Sequence, residues 1–318
     1  MISKARIAAA ALCPVLLAQA SHGATAEVTK SGSNYIVKVD GTQTLSTTDY
    51  ATALQNAAGT GNRVMNVRTS GDWNTEVRMR ATSSFNYLTS TYSYARTPAG
   101  KAAIWSYKSG GIQIAGLKLN GYPSYGLHIS SCASPSITNT DVDCRSTSQP
   151  VVAIRVDSEG STRTTGLYAR NVNVRNMISG DRQGFETYSI DSYDLDGMWA
   201  SNLGGCGVLI NDGRNGKIGT ATSGYCGQGT TYAGLRWANN CATATTSRGN
   251  SNDSSRGIFI LNSTGITVNA VTIARCPVDS IWIQNGSNNR IASGTVNGGR
   301  APVITSSPGS SINVSYTP

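Results

Sequence analysis

The sequence predicts an all-β fold, a parallel β-helix or solenoid, closed at its N-terminal end by a short capping helix. Three observations carry this. First, a six-residue phrase recurs as Gly126-Leu127-His128-Ile129-Ser130-Ser131, Ala153-Ile154-Arg155-Val156-Asp157-Ser158, Gly184-Phe185-Glu186-Thr187-Tyr188-Ser189, Gly207-Val208-Leu209-Ile210-Asn211-Asp212, Gly234-Leu235-Arg236-Trp237-Ala238-Asn239, Gly257-Ile258-Phe259-Ile260-Leu261-Asn262 and Ser280-Ile281-Trp282-Ile283-Gln284-Asn285. Successive starts lie 27, 31, 23, 27, 23 and 23 residues apart, and a unit of roughly 20–30 residues repeated along a chain marks a solenoid. Second, side chains alternate faces along a strand, and thirteen of the fourteen residues at the second and fourth positions are apolar. That face is the core. Third, the sixth position holds only Ser, Asp or Asn, side chains that suit a tight turn.

Residues 1–26 read as a secretory signal peptide, and 27–318 as one solenoid domain. Lys4 and Arg6 open the signal, 7–17 is its apolar run, and Ala18-Gln19-Ala20 and Ala24-Thr25-Ala26 are two candidate cleavage sites. The apolar run is too short to span a bilayer. The expectation is therefore a secreted protein, extracellular or periplasmic, with no membrane partner. Residues 35–39 read as a strand. Thr48-Asp49 caps a helix over 50–58 that stops at Gly59, and such a helix would cover the apolar end of the solenoid. Irregular early coils follow over 62–90, with Val64, Val67, Val77 and Met79 in the core. A polar excursion over 90–101 precedes regular coiling from Ile112. Residues 159–165 and 179–183 are turns, 221–231 is a Gly-rich turn, and 302–318 read as a strand pair and tail. Asn252, Asn262, Asn285 and Asn313 stand in glycosylation sequons.

The formal net charge of +9 in 318 residues favours acidic partners. No nucleic-acid-binding signature is present, so an acidic polysaccharide is the expected partner, bound by a monomer. Beyond the signal the six cysteines are Cys132, Cys144, Cys206, Cys226, Cys241 and Cys276. An even number in a secreted chain suggests disulfides, with Cys206–Cys226 favoured because about one coil separates them. No Cys-x-x-Cys occurs, which argues against structural zinc.

The third residues of the phrase, His128, Arg155, Glu186, Leu209, Arg236, Phe259 and Trp282, form one outward row. The fifth residues, Ser130, Asp157, Tyr188, Asn211, Ala238, Leu261 and Gln284, form the next. Coils stack about 4.8 Å apart, so His128, Arg155, Glu186 and Tyr188 should share a patch about 10–15 Å long. The phrase and its polar ladder resemble the right-handed pectin-lyase-like β-helices over about residues 60–300. Gly184-Phe185-Glu186-Thr187-Tyr188-Ser189 further resembles the Gly-Phe-Asp-Pro-His-Glu phrase of alginate C5-epimerases. There Glu186 would match the acid and Tyr188 would stand for the histidine, while Gln183 departs from the tyrosine usual before the glycine. The resemblance implies uronate C5 chemistry as a class.

β-Elimination at a uronate needs a neutralised carboxylate, a base for the C5 proton and an acid for the leaving oxygen. Arg155 and Arg236 suit the carboxylate, and Tyr188 and His128 suit the proton transfers, with Glu186 orienting them. Asp157, Asn211 and Asp212 are candidate substrate-binding residues. The expected activity is that of a polysaccharide lyase. Glycoside hydrolysis through two of Asp157, Glu186 and Asp212, a C5-epimerase, and a non-catalytic carbohydrate-binding β-helix are the alternatives. Polygalacturonases share the fold, but their Asp-Asp, Gly-His-Gly and Arg-Ile-Lys motifs are missing. No cofactor and no metal ligand set is assigned. Calcium stays in view only for the acid run Asp181, Glu186, Asp191, Asp194, Asp196 and Asp212.

Overall fold

The computed structural model describes residues 24–60, 63–79, 90–92, 102–121, 124–144, 151–160, 162–178, 180–228 and 230–318. Most of the signal segment, most of the 90–101 excursion and the turn residues 161, 179 and 229 lie outside these. The chain forms a parallel β-solenoid of about nine turns.

The N-terminal end is closed as the sequence predicts. Strands β1 (Thr25–Ser31), β2 (Asn34–Val39) and β3 (Thr42–Thr47) form an antiparallel meander, and β4 (Val64–Val67) adds to β1 in parallel. Helix α1 runs over Tyr50–Ala58; the Asp49 side chain accepts the Ala51 N–H, and Gly59 ends it at φ 60°. Its buried face carries Tyr50, Ala53, Leu54 and Ala57. That face covers apolar surface that a solenoid leaves open at its end.

Beyond the cap, the phrase strands stack in the register read from sequence. Leu127, Ile154, Phe185, Val208, Leu235, Ile258 and Ile281 lie over one another, and so do His128, Arg155, Glu186, Leu209, Arg236, Phe259 and Trp282. The first of these columns is buried throughout, and each such side chain contributes about 1.5–3 kcal/mol by leaving water. A Cβ on Gly184 would sit 2.6 Å from the Gly207 carbonyl oxygen, and one on Gly207 would sit 2.6 Å from that of Gly234. Close approach between coils therefore selects glycine at the head of the phrase. At its end, Ser131, Ser189, Asp212, Asn239, Asn262 and Asn285 adopt φ between 48° and 56°, a left-handed corner that short polar side chains tolerate. Ser158 departs from this, where the coil is lengthened.

The stack also extends past the seven copies. Ala103-Ile104-Trp105-Ser106-Tyr107-Lys108 is an earlier copy, with Ile104 over Leu127, Trp105 over His128 and Lys108 at φ 51°. Above it, Val77 pairs with Ile104 and Arg78 with Trp105. At the other end Val303 lies over Trp282. The strands within 302–318 pair in parallel with the preceding coil, so this segment is a final coil rather than a strand pair. The turn expected over 221–231 starts later, because Val208–Cys226 is one continuous strand.

The disulfide expectation is overturned. All six cysteines in the described residues are buried free thiols. Cys226, Ser254 and Cys276 occupy one column, so Cys226 and Cys276 stand two coils apart, about 10 Å and beyond the reach of a disulfide. Cys206 lies in the strand row between Gln183 and Ala233, whereas Cys226 ends the long strand of its coil. Burial pushes these two thiols up to about 11 and about 12.

Candidate functional site

Every third residue of the phrase points away from the core, and the stacked strands turn them into one wall. In chain order its outward row runs Arg78, Trp105, His128, Arg155, Glu186, Leu209, Arg236, Phe259, Trp282. Its middle is a chain of polar contacts. His128 Nε2 lies 3.0 Å from both Asp157 carboxylate oxygens. The Arg155 guanidinium donates through Nε to Asp157 at 2.6 Å and through Nη1 to Glu186 at 3.0 Å. Tyr188 joins through its ring, 5.6 Å from the Arg155 guanidinium carbon, and Tyr125 flanks both Arg155 and His128.

The two carboxyls are pushed apart. Burial raises Asp157, but hydrogen bonds and charge from His128, with Arg155, win and hold it at about 2. Burial also raises Glu186, and there the Arg155 charge does not fully offset it, so this carboxyl stays above its usual range. Although both residues stand on outward rows, each is only 7% exposed, because neighbouring coils cover them.

His128, Arg155, Glu186 and Tyr188 are thus brought together as the sequence suggests, with Asp157 joining His128 to Arg155. The remaining candidates stand apart. Arg236 is separated from Glu186 by the coil of Leu209 and packs between Tyr232 and Phe259. Asn211 lies beside Tyr188 in register and accepts a hydrogen bond from Asn239. Asp212 sits in the left-handed corner, where Arg163 and Ser189 bind its carboxylate at 2.6 and 2.8 Å. The acid run is likewise bound by its own neighbours: Asp191 to Arg163, Asp194 to Arg170, and Asp196 to the backbone N–H groups of Gly197 and Thr220. Among the described residues no three His, Cys, Asp or Glu side chains gather as a metal site.

The sequence reading missed a cleft above His128. It encloses about 480 Å³ and is lined by Thr60, Arg78, Met79, Trp105, Tyr107, Lys108 and Ser109. Trp105 lies nearly parallel to His128 at 6.2 Å, and Arg78 covers Trp105 at 5.0 Å. The Trp105 indole N–H is buried without an acceptor among the described residues. The signal that could have found it is the 23-residue step from Gly126 back to Ala103, hidden because Ser106 replaces the apolar fourth residue and Lys108 the Ser, Asp or Asn of the sixth. Compared with protein-family models, curated proteins and solved structures, the chain matches none.

Proposed function

We propose that the chain is a secreted polysaccharide lyase on a pectin-lyase-like β-helix, cleaving a uronic-acid-containing polysaccharide by β-elimination. The observation that carries this reading is the His128–Asp157 pair on an outward wall beside an aromatic, basic cleft. An ionised Asp157 accepts the Nε2–H of His128, which fixes the tautomer and leaves Nδ1 as the basic nitrogen. His128 takes the C5 proton, the C–H electron pair forms the C4–C5 double bond, and the C4–O bond breaks. Asp157 stabilises the imidazolium that forms. Tyr188 donates its proton to the leaving glycosidic oxygen. Arg155 holds Asp157 and Glu186 in place, and the charge of Lys108 in the neighbouring cleft favours an anionic sugar.

A second reading rests on the two carboxyls. A buried Glu186 whose proton affinity is raised beside an Asp157 whose proton affinity is lowered is the kind of split a glycoside hydrolase uses. Incubating the protein with pectate, alginate, glucuronan and glycosaminoglycans separates the readings. New ultraviolet absorbance from an unsaturated product supports elimination. Reducing ends without that absorbance indicate hydrolysis, inversion at C5 without cleavage an epimerase, and binding without change a non-catalytic module. A chelator arm tests calcium.

A further inference from the structure

The wall carries a second cationic centre that the chemistry at His128 does not use. Arg78 pairs with Glu76, Arg155 with Asp157 and Glu186, and Arg256 with Asp279. Arg236 makes no ion pair among the described residues, and its Nε is buried without a hydrogen-bond partner there. A buried guanidinium N–H left unbonded costs free energy that an arriving acceptor recovers. The Tyr232 and Phe259 rings lie 5.1 and 4.9 Å from the guanidinium carbon, so cation–π contacts hold its faces; part of its N–H edge reaches the Cys206 thiol, and the unbonded Nε–H is what a ligand would satisfy. Phe259 then stacks on Trp282 at 4.8 Å with 4° between the ring planes, which continues an aromatic strip down the wall. Arg256 braces that strip from its side, 5.1 Å from Phe259 and 4.6 Å from Trp282. The nearest carboxylate in the same row, Glu186, is tied to Arg155.

We propose that Arg236, with Tyr232, Phe259 and Trp282, is a distal anion subsite that binds the carboxylate or sulfate of an acidic polysaccharide lying along the wall. Four coil steps separate Arg236 from His128, about 19 Å, so its part is to hold the polymer and not to react with it. The inference rests on reading the wall as a polysaccharide-binding face and is independent of β-elimination.

Calorimetric binding of polygalacturonate, dextran sulfate and neutral dextran to the full chain tests it. Arg236→Ala should weaken the acidic polymers by about tenfold or more, the loss of one charge-assisted hydrogen bond. Arg290→Ala, an exposed cation off the wall, should leave the Kd unchanged, and neutral dextran should not bind. Whichever acidic polymer loses more shows whether carboxylate or sulfate is the anion. Fragments too short to reach from His128 to Arg236 should be insensitive to the substitution. Should Arg236→Ala lose its fold, Arg236→Lys and Trp282→Ala carry the same comparison. Unchanged affinity in folded Arg236 variants overturns the subsite and leaves the wall reading standing. A wild-type chain that binds no acidic polymer overturns both.

Discussion

Replacing Asp157 by Asn removes the charge on which the middle of the wall depends. The Asp157 carboxyl is held at about 2 instead of 3.8, which corresponds to about 2.4 kcal/mol at about 1.36 kcal/mol per tenfold change in proton affinity. Because the folded value is depressed, this stability is present above the unfolded-state value and is lost as pH falls through about 2. Asp157→Asn should therefore unfold about 1–2.4 kcal/mol more easily near neutral pH, the lower figure allowing for the burial cost that the neutral side chain avoids. The gap to the wild type should close between about pH 4 and pH 2. Denaturant titrations at pH 7, 4 and 3 read this directly. The same variant should lose its chemistry, since His128 loses its charged partner and Arg155 keeps only Glu186. Equal stability at pH 7, or a gap that persists unchanged at pH 3, refutes the reasoning.

Arg155→Ala leaves Asp157 and Glu186 facing each other without their shared cation, and should cost about 3–5 kcal/mol in a denaturant titration, as breaking a buried ion pair does. Gly184→Ala places a methyl 2.6 Å from the Gly207 carbonyl oxygen and 2.8 Å from Val174; about 1–3 kcal/mol of destabilisation is expected, seen as a lower Tm. A thiol reagent should find no reactive cysteine among the six described ones in the folded chain and all six after unfolding; a Tm that falls on adding reductant would contradict the free-thiol state. Ala26 is buried in β1 and pairs with Val39 and Met65. On the proposed secretion of the chain, mass analysis should place the mature N-terminus after Ala20, because cleavage after Ala26 would strip the start of that strand.

The register of the wall was legible because the phrase states it twice, in the apolar alternation that fills the core and in the polar corner that ends each strand. The joining of His128, Arg155, Glu186 and Tyr188 follows from register alone. Asp157 stands in the row where the sequence puts it, but its contacts with His128 and Arg155 are not legible there, since only coordinates show its side chain turned back toward His128. Arg163 is 49 residues from Asp212 and Arg175 is 34 from Asp141. Ion pairs that bridge coils at such separations leave no local pattern, so the sequence could not show that Glu186, Asp191, Asp194 and Asp212 of the acid run are held by arginines. The cysteines misled for a related reason. Their even number suggested bonds, while all six are buried and Cys132, Cys226, Cys241 and Cys276 hydrogen-bond to backbone carbonyls instead of bonding another sulfur. The cleft above His128 escaped notice because Ser106 and Lys108 break the apolar alternation and the polar corner that announce the other copies.

In the proposed reaction His128, oriented by Asp157, removes the proton beside a uronate carboxylate. Nuclear magnetic resonance of an acidic polysaccharide incubated with the protein in deuterated water follows that proton directly. The C5 proton signal should be lost with the wild type, accompanied by an unsaturated end, and kept with His128→Ala. Chain cleavage with the C5 proton fully retained would contradict it.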